Sequence, residues 1–190
     1  MIKRVFYLFA LIATLSGYAQ RADNAIALQA KAGIMEGKGE IIKDIASTAS
    51  FGVQYFAGHR GFLIEGNAFM QDFSINHQDL GKTLPYSLYG INLMGGWSFE
   101  RLNPLFLGIK LGGFAGYYTV NKGDEREDVY NTVLENDVKG ITYGALASAE
   151  VEIAIWKRLS GVVSFSQYFY PNDKWIRWNY TAKAGFKVYL

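Results

Sequence analysis

Apolar and polar residues alternate along this chain, most clearly in its last segment. From Ile176 to Leu190 nearly every second residue is apolar, and the residues between are polar or glycine. A period of two is typical of a strand with one apolar and one polar environment. The segment exceeds the about five or six residues of an ordinary strand, whereas a tilted membrane strand needs about ten. We therefore predict a membrane-spanning strand that closes a barrel by pairing with residues 25–35.

Seven further segments alternate in the same way, so eight strands are predicted. These segments are 26–34, 49–55, 62–71, 86–99, 105–117, 141–155 and 160–170. Short turns at 58–61, 100–104 and 156–159 alternate with long polar loops at 36–47, 74–84 and 121–139, and the short connection 171–174 falls on the long-loop side. This arrangement is typical of bacterial outer-membrane proteins. The predicted fold is an all-β, eight-stranded antiparallel up-and-down transmembrane β-barrel.

A soluble barrel of lipocalin type is the competing architecture. Its apolar face points inward, and alternation alone does not say which face is inside. Here the polar faces carry charges in mid-strand, while the apolar faces are wide and nearly free of charge. Both features favour lipid on the apolar side.

The N-terminus has the features of a secretory signal peptide. Lys3 and Arg4 precede the apolar run 5–15, which is too short for a spanning helix, and small residues at Gly17 and Ala19 predict cleavage before Gln20. We expect a signal peptide at 1–19, one barrel domain at 20–190, and export to the cell outer membrane.

Composition narrows the chemistry further. Once the two basic signal residues are removed, 17 of the 19 basic residues remain against 17 acidic ones, so no basic surface predicts direct nucleic-acid binding. The absence of cysteine excludes a lipid anchor on cysteine, disulfides and thiolate metal sites. We predict no cofactor and no metal.

Charged residues on the polar faces form the main candidate site. They are Lys31, Glu65, Lys110, Glu150, Glu152, Arg177, Lys183 and Lys187. An eight-stranded barrel is just wide enough for its own side chains to fill, so these charges must pair inside it. We predict a lumen charge network in which Glu150 or Glu152 pairs with Lys110 or Lys183. The alternatives are a static plug and a gated or ion-conducting lumen.

Aromatic residues concentrate near the predicted strand ends. Rings there suit the two headgroup zones of a bilayer, and strand middles are expected to carry small and aliphatic residues. The predicted aromatic girdle comprises Trp97, Phe99 and Trp156 on the short-turn side, and Tyr117, Tyr143, Trp175 and Trp178 on the long-loop side. Phe56, Phe62, Phe106, Phe73, Phe169 and Tyr170 are expected at the same levels.

Catalytic motifs are scarce. Of the two histidines, His59 falls in a short turn and His77 in a long loop, so Ser74 with His77 is the only candidate pair, and no enzyme activity is predicted. The acidic loop 121–139 is interpreted as a solvated surface segment or as a site for a partner or a cation.

The placed strands resemble the TraO family of conjugal transfer proteins, carried by conjugative transposons of Bacteroides-type bacteria. The resemblance rests on Gln20-Arg21, 65–73, Leu105-Phe106-Leu107-Gly108-Ile109 with Ala115-Gly116-Tyr117, Tyr143-Gly144-Ala145-Leu146 with Glu150-Val151-Glu152, and Gly185-Phe186-Lys187-Val188.

This resemblance implies an outer-membrane component of a conjugative, type IV secretion-like apparatus, with other apparatus proteins as partners besides the lipid bilayer. Its implied role is structural or anchoring, with no open pore. The alternatives are an outer-membrane surface-binding or adhesion barrel unrelated to conjugation and, as a third candidate, a lipid-modifying barrel enzyme.

Overall fold

Eight long strands make up almost all of the described structure. The computed structural model describes residues 24–37, 46–57, 61–77, 82–102, 104–124 and 137–190, so the predicted signal peptide lies outside the described residues. The strands are β1 (Ile26–Gly37), β2 (Ala46–Ala57), β3 (Phe62–His77), β4 (Lys82–Leu102), β5 (Leu105–Val120), β6 (Lys139–Trp156), β7 (Leu159–Phe169) and β8 (Trp178–Tyr189). A short 3₁₀ turn at Asn121–Gly123 follows β5. No helix in these ranges is long and apolar enough to cross a membrane, a finding that does not concern strands.

The strands form one closed antiparallel barrel in sequence order. Each strand pairs with the next, and β8 returns to β1 in a register from Ala27 opposite Tyr189 to Gly37 opposite Asn179. The predicted closing strand and the predicted fold are therefore confirmed. Closure leaves no unpaired sheet edge.

Alternate residues point to opposite faces of the wall, which separates two environments. The predicted apolar positions lie on the outside; Ile141, for example, is 72% exposed and Ile91 67%. The residues between them are mostly buried in the interior, charged ones included. The apolar face thus points outward, opposite to a lipocalin-type barrel.

The prediction of a long loop at 74–84 is wrong, because β3 and β4 continue through most of this segment. Their pairing runs to His77 opposite Lys82. In this upper part the alternation is inverted: Asp72 and Ser74 lie on the outer face, whereas Phe73 and Ile75 are buried inside. A wall that faces water needs the opposite polarity from one that faces lipid, so the polar outer residues resemble a loop in sequence.

The same hairpin extends beyond a bilayer. β4 has 21 residues, whereas about 9–11 residues suffice to cross a membrane. The exposed apolar residues of β4 run from Tyr89 to Phe99, so about a third of the strand, residues 82–88, projects past the apolar zone on the long-loop side.

Candidate functional site

Glu150 is the centre of an ion-pair network inside the barrel. Its Oε2 accepts from Lys110 Nζ at 2.7 Å and from Lys31 Nζ at 3.2 Å. Its Oε1 accepts from Lys187 Nζ. All four side chains are at most 5% exposed. Three ammonium groups around one carboxylate stay favourable only if further carboxylates balance them.

Glu65 and Glu152 supply that balance. Glu65 accepts from Lys110 at 2.5 Å and from Lys31 at 3.2 Å. Glu152 accepts from Lys187 at 3.0 Å. The predicted Lys110–Glu150 pair is therefore present, and two lysines bridge Glu150 to Glu65.

Amide side chains extend the network sideways. Asn67 Nδ2 donates to Glu65 Oε1 and to Asn92 Oδ1, each at 2.8 Å, while Gln29 Nε2 donates to Asn67 Oδ1 at 2.7 Å. These bonds hold the Glu65 carboxylate in place from β1, β3 and β4.

Glycines opposite two of the lysines allow neighbouring strands to approach closely. Gly96 lies opposite Lys110, and Gly185 lies opposite Lys31. A Cβ on Gly96 would come within 2.1 Å of Ile109 O, and one on Gly185 within 1.9 Å of Ala30 O. Only glycine therefore allows these strands to approach so closely.

An aromatic layer fills the barrel on the long-loop side of the charges. Phe114, Tyr168 and Tyr170 are in ring contact, with centroids of Phe114 and Tyr170 4.8 Å apart. Tyr170 OH donates to Gln71 Oε1 at 2.9 Å and accepts from Asn179 Nδ2 at 2.7 Å. The layer thus combines ring packing with hydrogen bonds made by the Tyr170 hydroxyl.

The β7–β8 connection closes this layer from above. Asp173 Oδ1 accepts from the backbone N–H groups of Trp175 at 2.8 Å and Ile176 at 3.3 Å, while Tyr86 OH donates to Oδ2. Burial raises the pKa of the Asp173 carboxyl above its ordinary value, although these hydrogen bonds oppose the shift. Ile176 belongs to the buried core cluster below.

A second apolar layer lies at the short-turn end. Ala27, Phe56 and Leu63 are buried together, and Tyr189 packs against them. Tyr189 OH donates to Glu152 Oε1, which ties this layer to the charges. In the described part of the chain, side chains therefore fill the interior at both ends and in the middle.

Arg177 does not belong to the lumen network, which corrects the prediction. β8 begins at Trp178, and Arg177 is exposed in the preceding connection, where its carbonyl accepts from Tyr170 N–H at 2.9 Å. Because 176 and 177 lie outside the strand, the alternation of β8 does not apply to them. Lys183 is buried as predicted but lies within 4.0 Å of no described carboxylate.

Six predicted girdle residues lie on the outer wall at the expected levels. Trp97, Phe99 and Trp156 are exposed near the short turns, as are Tyr117, Tyr143 and Trp178 near the opposite end. Phe62 packs edge-on against Trp97, and Phe169 packs against Trp178.

The prediction that Trp175 belongs to the aromatic girdle is wrong. It is half-buried, packs against the interior aromatic cluster, and donates its indole N–H to Asp137 O at 3.1 Å. The chain turns inward before β8, and Asp173 fixes that turn. The prediction that strand middles carry small and aliphatic residues holds only in part, because Phe51 and Phe186 flank Ala30 in the middle of the outer wall.

Four aromatic residues expected near the headgroups instead fill the lumen. Phe56, Phe73, Phe106 and Tyr170 are all buried. Strand alternation indicates this inward position, because Phe56 shares the inward face of β2 with Gln54, and Phe73 shares that of β3 with Gln71.

The described residues include few groups suited to metal binding or catalysis. The described residues contain no group of three or more His, Asp or Glu side chains arranged to hold a metal ion. Ser74 and His77 both lie in β3. Of the acidic loop 121–139, residues 125–136 lie outside the described residues.

Solved structures of other proteins resemble this barrel in fold, although their sequences have little identity with this chain. No protein-family model and no curated protein sequence matches the chain. Neisserial surface protein A gives a TM-score of 0.60 at 11% identity, covering 86% of this chain and 96% of that one. The attachment invasion locus protein Ail of Yersinia pestis gives 0.57 at 8% identity, covering 89% and 100%. OprG, an outer membrane protein from Pseudomonas aeruginosa, gives 0.53 at 9% identity, covering 93% and 99%. The shared feature is the fold of eight-stranded outer-membrane barrels.

Proposed function

We propose that this protein is an outer-membrane barrel without an open pore that anchors part of a conjugative DNA-transfer apparatus. The membrane part of the proposal is supported by the outer wall. An apolar belt with aromatic rings near both edges surrounds a polar interior, which is the reverse of a water-soluble barrel. Its lipid partner is the bilayer itself.

The filled interior is the single observation that carries the structural role. A network of buried ion pairs lies between two apolar layers, and its members come from β1, β3, β5, β6 and β8. Moving any one of these side chains to open a path would leave a buried charge unpaired, at a cost of several kcal/mol. DNA therefore does not pass through this barrel, and the proposal assigns no catalytic step.

The start of β1, the end of β8 and the strand ends joined by the short turns lie at one end of the barrel, and the strand ends joined by the longer connections lie at the other. In outer-membrane proteins the short turns face the periplasm. The projecting β3–β4 hairpin would then stand at the cell surface, with its polar outer face in water. This surface is available to other components of a transfer apparatus.

The conjugation part rests on the resemblance to the TraO family. Its described blocks lie in β3, β5, β6 and β8, while Gln20-Arg21 lies outside the described residues. These blocks include Glu65, Glu150, Glu152 and Lys187, which are members of the network. The resemblance thus covers four charged members of the network, but not Lys31 or Lys110.

An outer-membrane surface-binding or adhesion barrel is the second candidate. The projecting hairpin favours it, because it offers a rigid structured surface outside the membrane. Ail, which has the same fold, is described in complex with the heparin analogue sucrose octasulfate. That ligand belongs to Ail; for this chain, binding of a polyanion is a proposal.

Gene deletion separates the two candidates. A clean deletion in a donor strain is expected to reduce the number of transconjugants, and expression of the wild-type protein in trans to restore it. Unchanged transfer with reduced adhesion to host cells or heparin would instead support the surface-binding barrel. Heat-modifiable migration of the membrane fraction on gels tests the barrel itself, and a soluble, heat-indifferent protein would contradict it.

A further inference from the structure

The described barrel interior contains more cations than carboxylates. Its buried lysines are Lys31, Lys110, Lys183 and Lys187, and its buried glutamates are Glu65, Glu150 and Glu152. Four positive charges therefore face three negative ones. Asp173 does not correct the difference, because it lies above the aromatic layer and is engaged by Tyr86 and two backbone N–H groups.

Lys183 carries the excess charge. Each of the other three lysines lies within 4.0 Å of at least one of the glutamates. Lys183, only 5% exposed, forms no such pair with a described residue; its Nζ lies 6.0 Å from the ring centroid of Tyr168. A buried ammonium group without a counter-charge costs several kcal/mol, so a compensating group is required.

Unpartnered hydroxyl groups occupy inward positions next to this lysine on β7 and β8. Ser164 lies directly opposite Lys183 in the β7–β8 register, and Thr181 precedes it by two residues on the same inward face. Ser164 Oγ, Thr181 Oγ1 and Tyr168 OH are buried without a hydrogen-bond partner in the structure. Buried hydroxyls normally have a partner, so three such groups beside one unpaired ammonium indicate a shared ligand.

We propose that Lys183, Ser164, Thr181 and Tyr168 bind a small monovalent anion, such as a halide, inside the barrel. A halide accepts hydrogen bonds, and the ammonium and hydroxyl groups of this site can donate them. One negative charge balances the four lysines and three glutamates of the described interior. A larger or divalent anion fits less well, because Phe114 and Tyr168 lie above the site and Lys31 with its carboxylates lies below.

Filled layers on both sides make this a structural ion acquired as the barrel closes. Folding should therefore depend on the anion present during refolding. By linkage, an anion that binds only the folded state raises stability in proportion to the logarithm of its concentration above the dissociation constant.

Refolding of the mature chain into detergent tests the site. Thermal midpoints of heat-modified migration are measured in sodium bromide or chloride and in sodium gluconate, at matched ionic strength and pH. We expect the midpoint of the wild type to rise with halide, and that of Lys183→Met to be the same in all three salts. Lys174→Met, which removes an exposed cation paired loosely with Asp137 at 3.8 Å, should retain the wild-type halide dependence.

Ser164→Ala provides a variant that keeps the charge. It should still refold, and its midpoint should need a higher halide concentration to reach the wild-type value. Equal halide dependence in the wild type and Lys183→Met would overturn the proposal and indicate an uncharged or hydrated lysine.

Anomalous diffraction from protein refolded and crystallised in bromide gives the position directly. The expected result is a peak within hydrogen-bond distance of Lys183 Nζ and Ser164 Oγ that is missing in Lys183→Met. A wild-type crystal with no bromide at this position would also overturn the proposal.

Discussion

Replacing Glu150 with glutamine tests whether the charge network holds the barrel together. The substitution keeps the shape of the side chain and removes the acceptor charge shared by Lys31, Lys110 and Lys187. Each lysine retains another carboxylate: Glu65 for Lys31 and Lys110, and Glu152 for Lys187. The loss is therefore that of one uncompensated charge rather than three separate ion pairs.

The expected cost is about 3–5 kcal/mol, the range for removing one partner of a buried ion pair. Urea unfolding in lipid vesicles, followed by tryptophan fluorescence and by migration on gels, measures it. The Glu150→Gln/Lys110→Met double variant restores the charge balance and should recover part of the loss. Asp137→Asn breaks only the exposed pair with Lys174, and should change the free energy of unfolding by about 0–1 kcal/mol.

The reasoning fails if Glu150→Gln unfolds at the same urea concentration as the wild type with an unchanged slope. That result would mean that the interior is hydrated enough to screen the lysines. The interior would then not be a plug, and the argument against a pore would lose its basis.

Three further predictions concern the wall and the cap. Leu93→Arg, at an outer position that is 65% exposed, should cost about 2–4 kcal/mol in bilayers, whereas Leu93→Ala should cost far less; equal effects in the same urea assay would argue against lipid contact. Gly96→Ala should destabilise the barrel, because its Cβ would meet Ile109 O at 2.1 Å, whereas Gly95→Ala has only a 4.0 Å contact and should be tolerated; matching unfolding curves would refute the packing. Because burial raises the pKa of Asp173, the folded state binds more protons, and stability should fall as pH rises from the ordinary carboxyl pKa through the raised one. Asp173→Asn should remove this component, seen as the difference between the two unfolding profiles across pH 4–7; parallel profiles would contradict it.

Strand number, order and facing were predictable from sequence because lipid imposes one rule on a whole wall. Almost every outward residue in the membrane zone is apolar or glycine, with Gln167 on β7 as an exception, so parity alone assigns Ile141 outward and Glu150 inward. The rule ends where lipid ends. Above that level the outer face is polar, and the strand continuing through Ser74 was therefore interpreted as a loop.

Residues at strand ends were the least predictable. The alternation of β8 predicts Ile176 on the apolar face and Arg177 on the polar face, and the clustering of aromatic residues near strand ends predicts Trp175 in the girdle, but the Asp173 turn lies between these residues and the preceding strand. Such a turn depends on a hydrogen bond from Tyr86, 87 positions away in sequence. Sequence periodicity contains no information on a contact of that range.

Apart from the Lys110–Glu150 pair, the partners of the interior charges were not predicted, for a related reason. Register specifies which residues lie beside each other on the wall, but long side chains in a narrow lumen reach across it. Lys31 on β1 contacts Glu150 on β6, and these strands are not hydrogen-bonded neighbours. Each such contact joins strands that the sheet does not pair directly. The barrel is thus braced across its interior as well as around its wall, and a strand that carries a member of the network cannot shift without breaking ion pairs to other strands. Such bracing is consistent with the proposed anchoring role, because opening a path would break these ion pairs.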